Sequence, residues 1–369
     1  MPKYAVVGAG FAGATIARQL VDLSDCQVFV FDERSHVGGN CYTERDAKTG
    51  ILIHTYGPHI FNTNNIEVWH YIQRFGNFFP YVNRVKAITS KGIFSLPINL
   101  HTINQYFSKS FTPQEAKVFI DSLCKGKKES ATNFEDYALA TVGRELYLTF
   151  FYGYTKKQWG CEPRELPSAI LKRLPLRFNY DDSFYESKYQ GIPEYGYTPI
   201  FQNLLAHPRI SLNLGYNFSR DLNKDFDHVF YSGSPDQYFE YAHGKLPYRT
   251  LDWQRLDGKG DIQGNAVINY PGLEQSFTRI HEHKYFAPWE NHENSVAFEE
   301  YSREHEPSDI PYYPKRIPYS VDQFQKYQES GNAERNVSFL GRLGTYRYMN
   351  MDQVIAESID HAIHFLSSR

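Results

Sequence analysis

The sequence YAVVGAGFAGATIARQL at residues 4–20 decides the fold. Its first four residues form an apolar run that predicts a short buried strand, and its last seven predict a helix. The apolar run QVFVF at residues 27–31 predicts a second strand. Strand, glycine-rich turn, helix and strand together make a βαβ unit of the size that a dinucleotide-binding fold needs.

The turn of this unit has the GxGxxG spacing of a phosphate-binding loop. Gly8 permits the tight turn, Gly10 lets the backbone approach a pyrophosphate, and Gly13 allows the helix to pack closely. The helix N-terminus faces the anion. Asp32 ends the second strand, where an acid accepts hydrogen bonds from a ribose. We therefore expect a dinucleotide cofactor, and the fingerprint itself leaves NAD and FAD open.

Length and composition exclude several classes of protein. The chain has 369 residues and a formal net charge of -3, whereas a nucleic-acid-binding protein needs a basic surface. No apolar stretch reaches the ~18–20 residues of a membrane span. Since Met-Pro-Lys is followed at once by the apolar run of the first strand, we expect no signal peptide. The 4 cysteines have no CxxC spacing, which argues against disulfides and zinc and favours the reducing cytoplasm.

The remainder of the chain shows a helical pattern and a strand-like pattern. Asn99, Thr112 and Asn133 each stand before a helical pattern as an N-cap, and Gly143 ends the third helix. Residues 251–301 are β-rich and predict an antiparallel sheet. The chain closes with a strand at 337–340 and an amphipathic helix at 352–366, which predict a further βα step of the first domain.

Several longer strings carry a resemblance to a known family. The chain resembles the bacterial UDP-galactopyranose mutases over essentially its whole length. The strings are YGPHIF at 56–61, PYVNRV at 80–85, FSLPINL at 94–100, GYTKKQWG at 153–160, LKRLP at 171–175, TRI at 278–280, PYYP at 311–314 and GRLGTYRY at 341–348.

The resemblance implies an α/β fold with three parts. The first is a discontinuous Rossmann-like FAD-binding domain, the second a helical domain that carries a mobile substrate loop, and the third a twisted antiparallel β-sheet domain. Their boundaries are 1–78 with 195–245 and 315–369 for the FAD-binding domain, 98–190 for the helical domain, and 79–97 with 246–314 for the sheet domain.

The resemblance also implies the reaction. The enzyme would be an isomerase that converts UDP-galactopyranose to UDP-galactofuranose, with N5 of reduced FAD as the nucleophile on the anomeric carbon and no net redox change. It would be a cytoplasmic homodimer that supplies surface polysaccharide such as lipopolysaccharide O-antigen. We expect no nucleic-acid partner, no membrane insertion and no metal.

The family's functional positions map onto this sequence residue by residue. Arg173 and Arg279 match the two arginines that bind the diphosphate, and His59 matches a histidine near the flavin and the sugar. The expected cofactor residues are Gly8, Gly10, Phe11, Ala12, Gly13, Asp32, Glu33, Arg34, Gly39, Asn40, His59, Ile60, Arg342, Tyr348, Met349, Asn350 and Met351. The expected substrate residues are Asn62, Asn83, Phe151, Tyr154, Thr155, Trp159, Arg173, Phe184, Tyr185, Arg279, Tyr313, Tyr348 and Asn350.

Three positions depart from the family pattern. Asn62 replaces a histidine and Asn350 replaces an acid, so two sugar-side positions change from ionisable groups to amides. Phe184 stands where a tyrosine is usual. These changes are either neutral or indicate another sugar nucleotide, such as UDP-N-acetylgalactosamine or dTDP-6-deoxy-galactose.

Other functions remain as alternatives. A flavin oxidoreductase of the same fold would turn over an external reductant or oxygen, and an inactive relative would bind the nucleotide sugar without isomerising it. The His281-Glu282-His283 sequence has the spacing of two metal ligands on one face of a strand. It has no evident third ligand, so we interpret it as structural.

Overall fold

In the computed structural model, residues 1–168, 170 and 176–368 are described. They divide into two compact units. The first unit comprises Met1–Tyr81, Ser187–Pro247 and Pro318–Arg369, and the second comprises Val82–Glu186 and Tyr248–Ile317. The predicted division into three domains stays a prediction.

The strands and helices follow the chain in this order. The strands are β1 Lys3–Val7, β2 Gln27–Asp32, β3 Thr43–Arg45, β4 Leu52–His54, β5 Phe61–Thr63, β6 Phe78–Pro80, β7 Val85–Thr89, β8 Gly92–Leu96, β9 Tyr189–Pro193, β10 Ile210–Leu214, β11 His228–Tyr231, β12 Tyr248–Lys259, β13 Val267–Asn269, β14 Arg279–Glu282, β15 Asn294–Glu304, β16 Tyr313–Pro314 and β17 Val337–Phe339. The helices are α1 Phe11–Leu23, α2 Ile66–Gln73, α3 Leu100–Phe107, α4 Pro113–Leu123, α5 Phe134–Leu146, α6 Gly153–Trp159, α7 Tyr197–Leu205, α8 Pro235–Tyr238, α9 Pro318–Ala333, α10 Gly341–Gly344 and α11 Met351–Ser367.

The first unit is built on a parallel sheet with the order β10-β2-β1-β11-β17. The predicted βαβ unit lies at its centre, because β1 pairs with β2 and α1 connects them. β17 and α11 add the predicted last βα step beside β11. The core joins sheet residues such as Val30 and Phe230 to Ile16 of α1 and Ile355 of α11, all completely buried. The Rossmann-like part of the expected fold is therefore confirmed.

The second unit contains a sheet with the order β16-β12-β15-β14-β13-β7-β8. Its pairs are antiparallel except for β13 with β7. The long pair β12 and β15 supports β14, which carries Arg279. The expected antiparallel sheet is therefore confirmed.

The helices of the second unit begin where the sequence predicts. Asn99 and Asn133 cap α3 and α5, and Thr112 caps α4 in a capping box with Glu115. Gly143 has a φ of 75° and interrupts α5, and a π-helical turn at Tyr147–Tyr152 leads into α6. Among the helices that the structure describes, each is too short or too polar to cross a bilayer.

The two caps Asn99 and Thr112 differ in burial, and we expect their removal to differ in cost. Asn99 is completely buried and its Oδ1 accepts from the Thr102 N–H at 3.1 Å, whereas the cap at Thr112 is exposed to water. Asn99→Ala should lower the free energy of unfolding by about 2 kcal/mol and Thr112→Ala by about 1 kcal/mol or less. Urea denaturation measures both, and equal losses would contradict this ranking.

Candidate active site

The phosphate turn of the first unit is shaped by backbone contacts that exclude side chains. Gly8 has a φ of +104°. A Cβ atom at Gly13 would overlap the Gly8 carbonyl oxygen, and a Cβ at Gly8 would overlap the Ser232 hydroxyl. The first turn of α1 therefore packs directly on the end of β1, with its N-terminal N–H groups at the turn.

Asp32 organises this turn from the end of β2. Its side chain is buried; Oδ2 accepts from the Ala9 N–H at 2.7 Å and Oδ1 from the Arg34 N–H at 2.9 Å. A carboxylate offers about four acceptor positions, so Asp32 can hold the turn and still accept from ribose hydroxyls.

Arg34 supplies a buried donor beside the turn. Its Nη2 donates to Asn40 Oδ1 at 2.8 Å, and its guanidinium lies over the Tyr56 ring at 4.6 Å. Its Nη1 is buried and has no hydrogen-bond partner among the described residues. A buried guanidinium N–H without an acceptor is costly, and a ribose or phosphate oxygen of a dinucleotide would satisfy it. The residues present therefore fit such a cofactor.

Two further segments close on the turn. The Gly38 N–H donates to the Ala9 carbonyl at 2.9 Å, and a Cβ at Gly39 would lie only 3.3 Å from the Gly10 Cα. A Cβ at Gly341 would lie 2.8 Å from the Ala12 Cβ. The GG loop and the start of α10 thus both require glycine, because each backbone lies against the phosphate turn.

The segment after α10 is held by Arg342. Its Nε and Nη2 donate to the Met349 carbonyl at 3.1 and 2.7 Å, and its guanidinium lies 5.1 Å from the centre of the Tyr348 ring. Cys41 Sγ lies 3.7 Å from Met351 Sδ. These contacts bring residues near 40 and near 350 together within the first unit.

The expected cofactor residues all lie in the first unit. The side chain of Phe11 is not available to a cofactor, because it packs in the core with its ring centre 4.5 Å from that of Phe201. Phe11 can therefore contribute only through its backbone. The full set is Gly8, Gly10, Phe11, Ala12, Gly13, Asp32, Glu33, Arg34, Gly39, Asn40, His59, Ile60, Arg342, Tyr348, Met349, Asn350 and Met351.

The two amides that depart from the family pattern have different surroundings. Asn62 is half-buried; its Nδ2 donates to the Ile60 carbonyl at 3.2 Å and its Oδ1 accepts from the Ser187 hydroxyl at 3.0 Å. Asn350 is exposed at the N-cap of α11, where its N–H donates to Gln353 Oε1 at 2.9 Å. Asn and Asp cap helices about equally well, so the change at Asn350 costs the fold little.

His59 lies on the loop before β5. Its Nδ1 is 2.8 Å from the Gly57 carbonyl, which can only accept, so Nδ1 carries the proton. In a neutral ring the lone pair is then on Nε2. The loop geometry therefore selects one tautomer of His59.

In the second unit, a buried carboxylate orients Arg279. Glu300 on β15 is 1 % exposed; its Oε2 accepts from Arg279 Nε at 2.8 Å and from His281 Nε2 at 3.1 Å. Its Oε1 accepts from the Thr278 hydroxyl at 3.0 Å. Burial alone would raise the pKa of Glu300, but Arg279 and then His281 lower it to about 2. Glu300 is therefore ionised at neutral pH.

His281 is a neutral donor in this cluster. Burial, more than any other cause, lowers its pKa below 6.5. The neutral ring therefore donates Nε2–H to Glu300. Of the HxH pair only His281 lies on a strand, because β14 ends at Glu282; His283 begins the next helical turn and packs edge-on against Phe298. Within the described part of the chain, no group of three or more His, Cys, Asp or Glu side chains could hold a metal ion.

Arg279 keeps a partly exposed side chain among tyrosines. Its side chain is 26 % exposed, although Nε is bound to Glu300. Burial lowers the pKa of Arg279, but Glu300, Tyr154 and Tyr313 together raise it well above the ordinary value. The Trp159 ring centre lies 6.3 Å from that of Tyr313. This gives a cationic guanidinium close to two phenols, one of which lies beside an indole, and such a group suits a phosphorylated ligand.

A second polar group lies near β7. Asn83 is buried, and its carbonyl accepts from the Phe184 N–H at 2.8 Å. Its Oδ1 is buried and has no hydrogen-bond partner among the described residues. The Phe184 and Tyr185 rings meet edge-to-face at 5.2 Å. An acceptor beside aromatic rings is suited to the edge of a nucleobase.

The expected substrate residues are divided between the two units. Arg173 lies outside the described residues. Asn62, Tyr348 and Asn350 lie in the first unit, and Asn83, Phe151, Tyr154, Thr155, Trp159, Phe184, Tyr185, Arg279 and Tyr313 lie in the second.

Comparison with known proteins identifies the family. A sequence model described as UDP-galactopyranose mutase matches residues 149–348, and a model of NAD(P)-binding Rossmann-like domains matches residues 6–75. A "Probable UDP-galactopyranose mutase" of Klebsiella pneumoniae is 49 % identical over 98 % of this chain and 94 % of its own length. The chain belongs to the UDP-galactopyranose mutase family.

A second relative of similar identity is named for a different sugar nucleotide. The dTDP-fucopyranose mutase of Escherichia coli is 48 % identical over 98 % of this chain and 98 % of its own length. A solved structure of reduced UDP-galactopyranose mutase shares the fold with a TM-score of 0.76 at 16 % identity, over 100 % of this chain and 94 % of that one. The chain is therefore an isomerase of nucleotide sugars, and its family implies a flavin in the Rossmann-like unit.

Two residues that support the candidate site were not predicted from the sequence. Glu300 orients Arg279 from a neighbouring strand, and its sequence FEEY carries no motif that marks it. Lys157 lies inside the family string GYTKKQWG, which could have singled it out, and it bonds three carbonyls of another segment.

We expect Glu300→Gln to destabilise the fold at neutral pH. The change leaves Arg279 near a neutral group in a buried position and should lower the free energy of unfolding by about 3 kcal/mol. Because the folded-state pKa of Glu300 is about 2, below its usual 4.5, its stabilisation is full above pH 4.5 and is lost towards pH 2.

The control for this variant is Glu299→Gln on the same strand. Glu299 is only half-buried and accepts from the Tyr301 hydroxyl at 2.7 Å. Urea denaturation at several pH values should show a small loss for this control. Equal losses for both variants, or a loss at Glu300 that does not shrink below pH 4.5, would contradict the assignment.

Proposed function

We propose that this protein is a reduced-FAD-dependent mutase that converts UDP-galactopyranose to UDP-galactofuranose without net redox change. The observation that carries the proposal is the cationic Arg279, oriented by buried Glu300 and bordered by Tyr154 and Tyr313. It lies within the part of the chain that matches the mutase family.

The first unit supports FAD as the cofactor. Asp32 has acceptor capacity for ribose hydroxyls, and Arg34 Nη1 is a buried donor that needs an acceptor. When bound, reduced FAD would supply a nucleophilic nitrogen, N5, for the anomeric carbon. The chain's own part is to bind and orient.

The second unit supports a substrate that is bound through its nucleoside diphosphate. Arg279 keeps its charge at any physiological pH and can pair with phosphate oxygens through its terminal nitrogens. We propose that Arg173 pairs with the same diphosphate, and that the hydroxyl of Tyr313 donates to it. Trp159 would exclude water with one large side chain, because the bond to the nucleotide must not be lost to hydrolysis.

Different residues support the proposed identity of the base and that of the sugar. The buried Asn83 Oδ1 is an acceptor for the imide N–H that uracil and thymine share, so the proposed base is a pyrimidine of that type. The second candidate substrate is dTDP-6-deoxy-galactose. Asn62 favours it, since an amide replaces the expected histidine there, and a dTDP-sugar mutase is 48 % identical to this chain.

We further propose a cytoplasmic homodimer whose product supplies surface polysaccharide such as lipopolysaccharide O-antigen. The support is the family resemblance together with the cysteines: Cys26, Cys41, Cys124 and Cys161 are all free thiols. Free thiols are typical of a reducing compartment.

The test is a chromatographic assay of the purified protein with UDP-galactofuranose and dTDP-fucofuranose. We expect yellow protein with a flavin spectrum, and conversion to the pyranose only after dithionite reduction. An oxidised sample is the control. Conversion that is equal in the oxidised sample, or continuous consumption of reductant with each turnover, would contradict the mutase and favour an oxidoreductase.

Asn62→His tests whether this position reads the sugar. We expect the ratio of kcat/KM for UDP-galactose over dTDP-fucose to rise at least several-fold, because an imidazole can gain or lose a proton near neutral pH and an amide cannot. Asn350→Asp is the matched change at the other amide. It leaves the helix cap intact, so a shift there reports a sugar contact rather than damage to α11. An unchanged ranking in both variants would mark the two amides as neutral.

A further inference from the structure

Lys157 binds the carbonyls of a loop that is distant in sequence. Its Nζ donates to the carbonyl oxygens of Tyr270, Gln275 and Phe277 at 2.6, 3.0 and 2.7 Å. An ammonium group has three N–H donors, so all of them are used. We call residues 270–278 the 270–278 loop.

The 270–278 loop is closed on itself and docked on α6 at a second point. The Tyr270 N–H donates to the Thr278 carbonyl at 2.9 Å, so the two ends of the loop are joined. Gly153 lies four residues before Lys157 on the same face of α6, and a Cβ there would overlap the Pro271 carbonyl. The helix therefore meets the loop through Gly153 and through Lys157.

Both partners of this contact carry ligand-binding candidates. α6 carries Tyr154, Thr155 and Trp159, and the 270–278 loop runs directly into Arg279. Tyr154 lies close enough to Arg279 to raise its pKa. The spacing between the phenol and the guanidinium is thus set by how α6 docks on the loop.

We propose that Lys157 is a positioning residue that fastens α6 to the 270–278 loop and so sets the distance between Tyr154 and Arg279 for a pyrimidine nucleoside diphosphate. The inference rests on the proposed function for the identity of the ligand. It assigns Lys157 no contact with the ligand itself.

The charge of Lys157 depends on these carbonyls. Burial lowers the pKa of Lys157 to about 8, with Glu274 of the loop acting in the opposite direction. An ammonium group removed from water is stabilised mainly by oxygen dipoles that point at it. The neighbouring Lys156 differs in its partner, since it pairs with the Glu162 carboxylate at 2.6 Å and not with carbonyls.

The far end of α6 is held separately, so Lys157 has a local task. Arg249 Nε donates to the Gln158 carbonyl at 3.0 Å, and the Ser302 hydroxyl donates to the same oxygen at 2.7 Å. These bonds tie the last turn of α6 to β12 and β15. Loss of the Lys157 bonds should therefore release the 270–278 loop and leave the helix in place.

The test compares Lys157→Met with Lys156→Met in the flavin-loaded protein. Methionine keeps the length and apolar stem of lysine and removes the three N–H donors. Affinity for UDP and dTDP is measured by titration, KM and kcat by the mutase assay, and loop opening by hydrogen exchange of the amides in 270–278. We expect the Kd and KM of Lys157→Met to rise about tenfold or more, the lower range for losing a hydrogen bond from a charged group.

We expect faster amide exchange in the loop of Lys157→Met and a smaller change in kcat, while Lys156→Met stays within twofold of the wild type throughout. Gly153→Ala is a second variant that favours the helix and drives a methyl group against the Pro271 carbonyl. It should weaken nucleotide binding in the same direction, and it decides the matter if Lys157→Met does not fold.

The outcomes separate the two proposals. A wild type that binds neither nucleotide and isomerises no sugar overturns the proposed function and this inference with it. A wild type that is active, with variants at Lys157 and Gly153 whose Kd and KM equal those of Lys156→Met, overturns the role of Lys157 alone. Lower kcat or less folded protein at unchanged KM would mark Lys157 as merely structural and also overturn it.

Discussion

The second unit depends on one buried carboxylate. Glu300 is 1 % exposed and accepts from a guanidinium, an imidazole and a hydroxyl, on Arg279, His281 and Thr278. Burying such a charge is unfavourable unless its oxygens are hydrogen-bonded and a cation lies beside it. Here both conditions are met, and the pKa of Glu300 falls to about 2. The same pairing holds Arg279 in place through its Nε.

The two units hold their candidate binding groups by different means. In the first, the backbone does the work: Gly13 brings α1 onto the end of β1, and Asp32 fixes the turn through the Ala9 N–H. In the second, side chains do it, and each is held by another residue. Glu300 orients Arg279, and Lys157 fastens the helix that carries Tyr154. A backbone site tolerates little change at its glycines, whereas a side-chain site depends on residues well away from the ligand.

The two amides at positions 62 and 350 depart from the family pattern without changing the fold. Asn350 caps α11 as an acid would, so that substitution has no structural penalty. Asn62 is held between the Ile60 carbonyl and the Ser187 hydroxyl, with its amide orientation fixed by a donor on one side and an acceptor on the other. The near-equal identities to a UDP-galactopyranose mutase and to a dTDP-fucopyranose mutase agree with a framework that serves more than one sugar.

The sequence by itself determined the parts of this protein whose physics is local. The GxGxxG turn between β1 and α1, the acid at Asp32 and the caps at Asn99, Thr112 and Asn133 follow from φ angles, orphan N–H groups and short spacings, all of which are legible along the chain. The family strings added the reaction and the residue types. Only the tertiary structure decided what joins distant segments: that Phe11 belongs to the core, that Glu300 orients Arg279 across two strands, and that Lys157 binds a loop more than a hundred residues away. A buried carboxylate such as Glu300, or a set of carbonyls bound by one lysine, forms only when folding brings distant segments together. A local pattern of residues does not show which segments will meet.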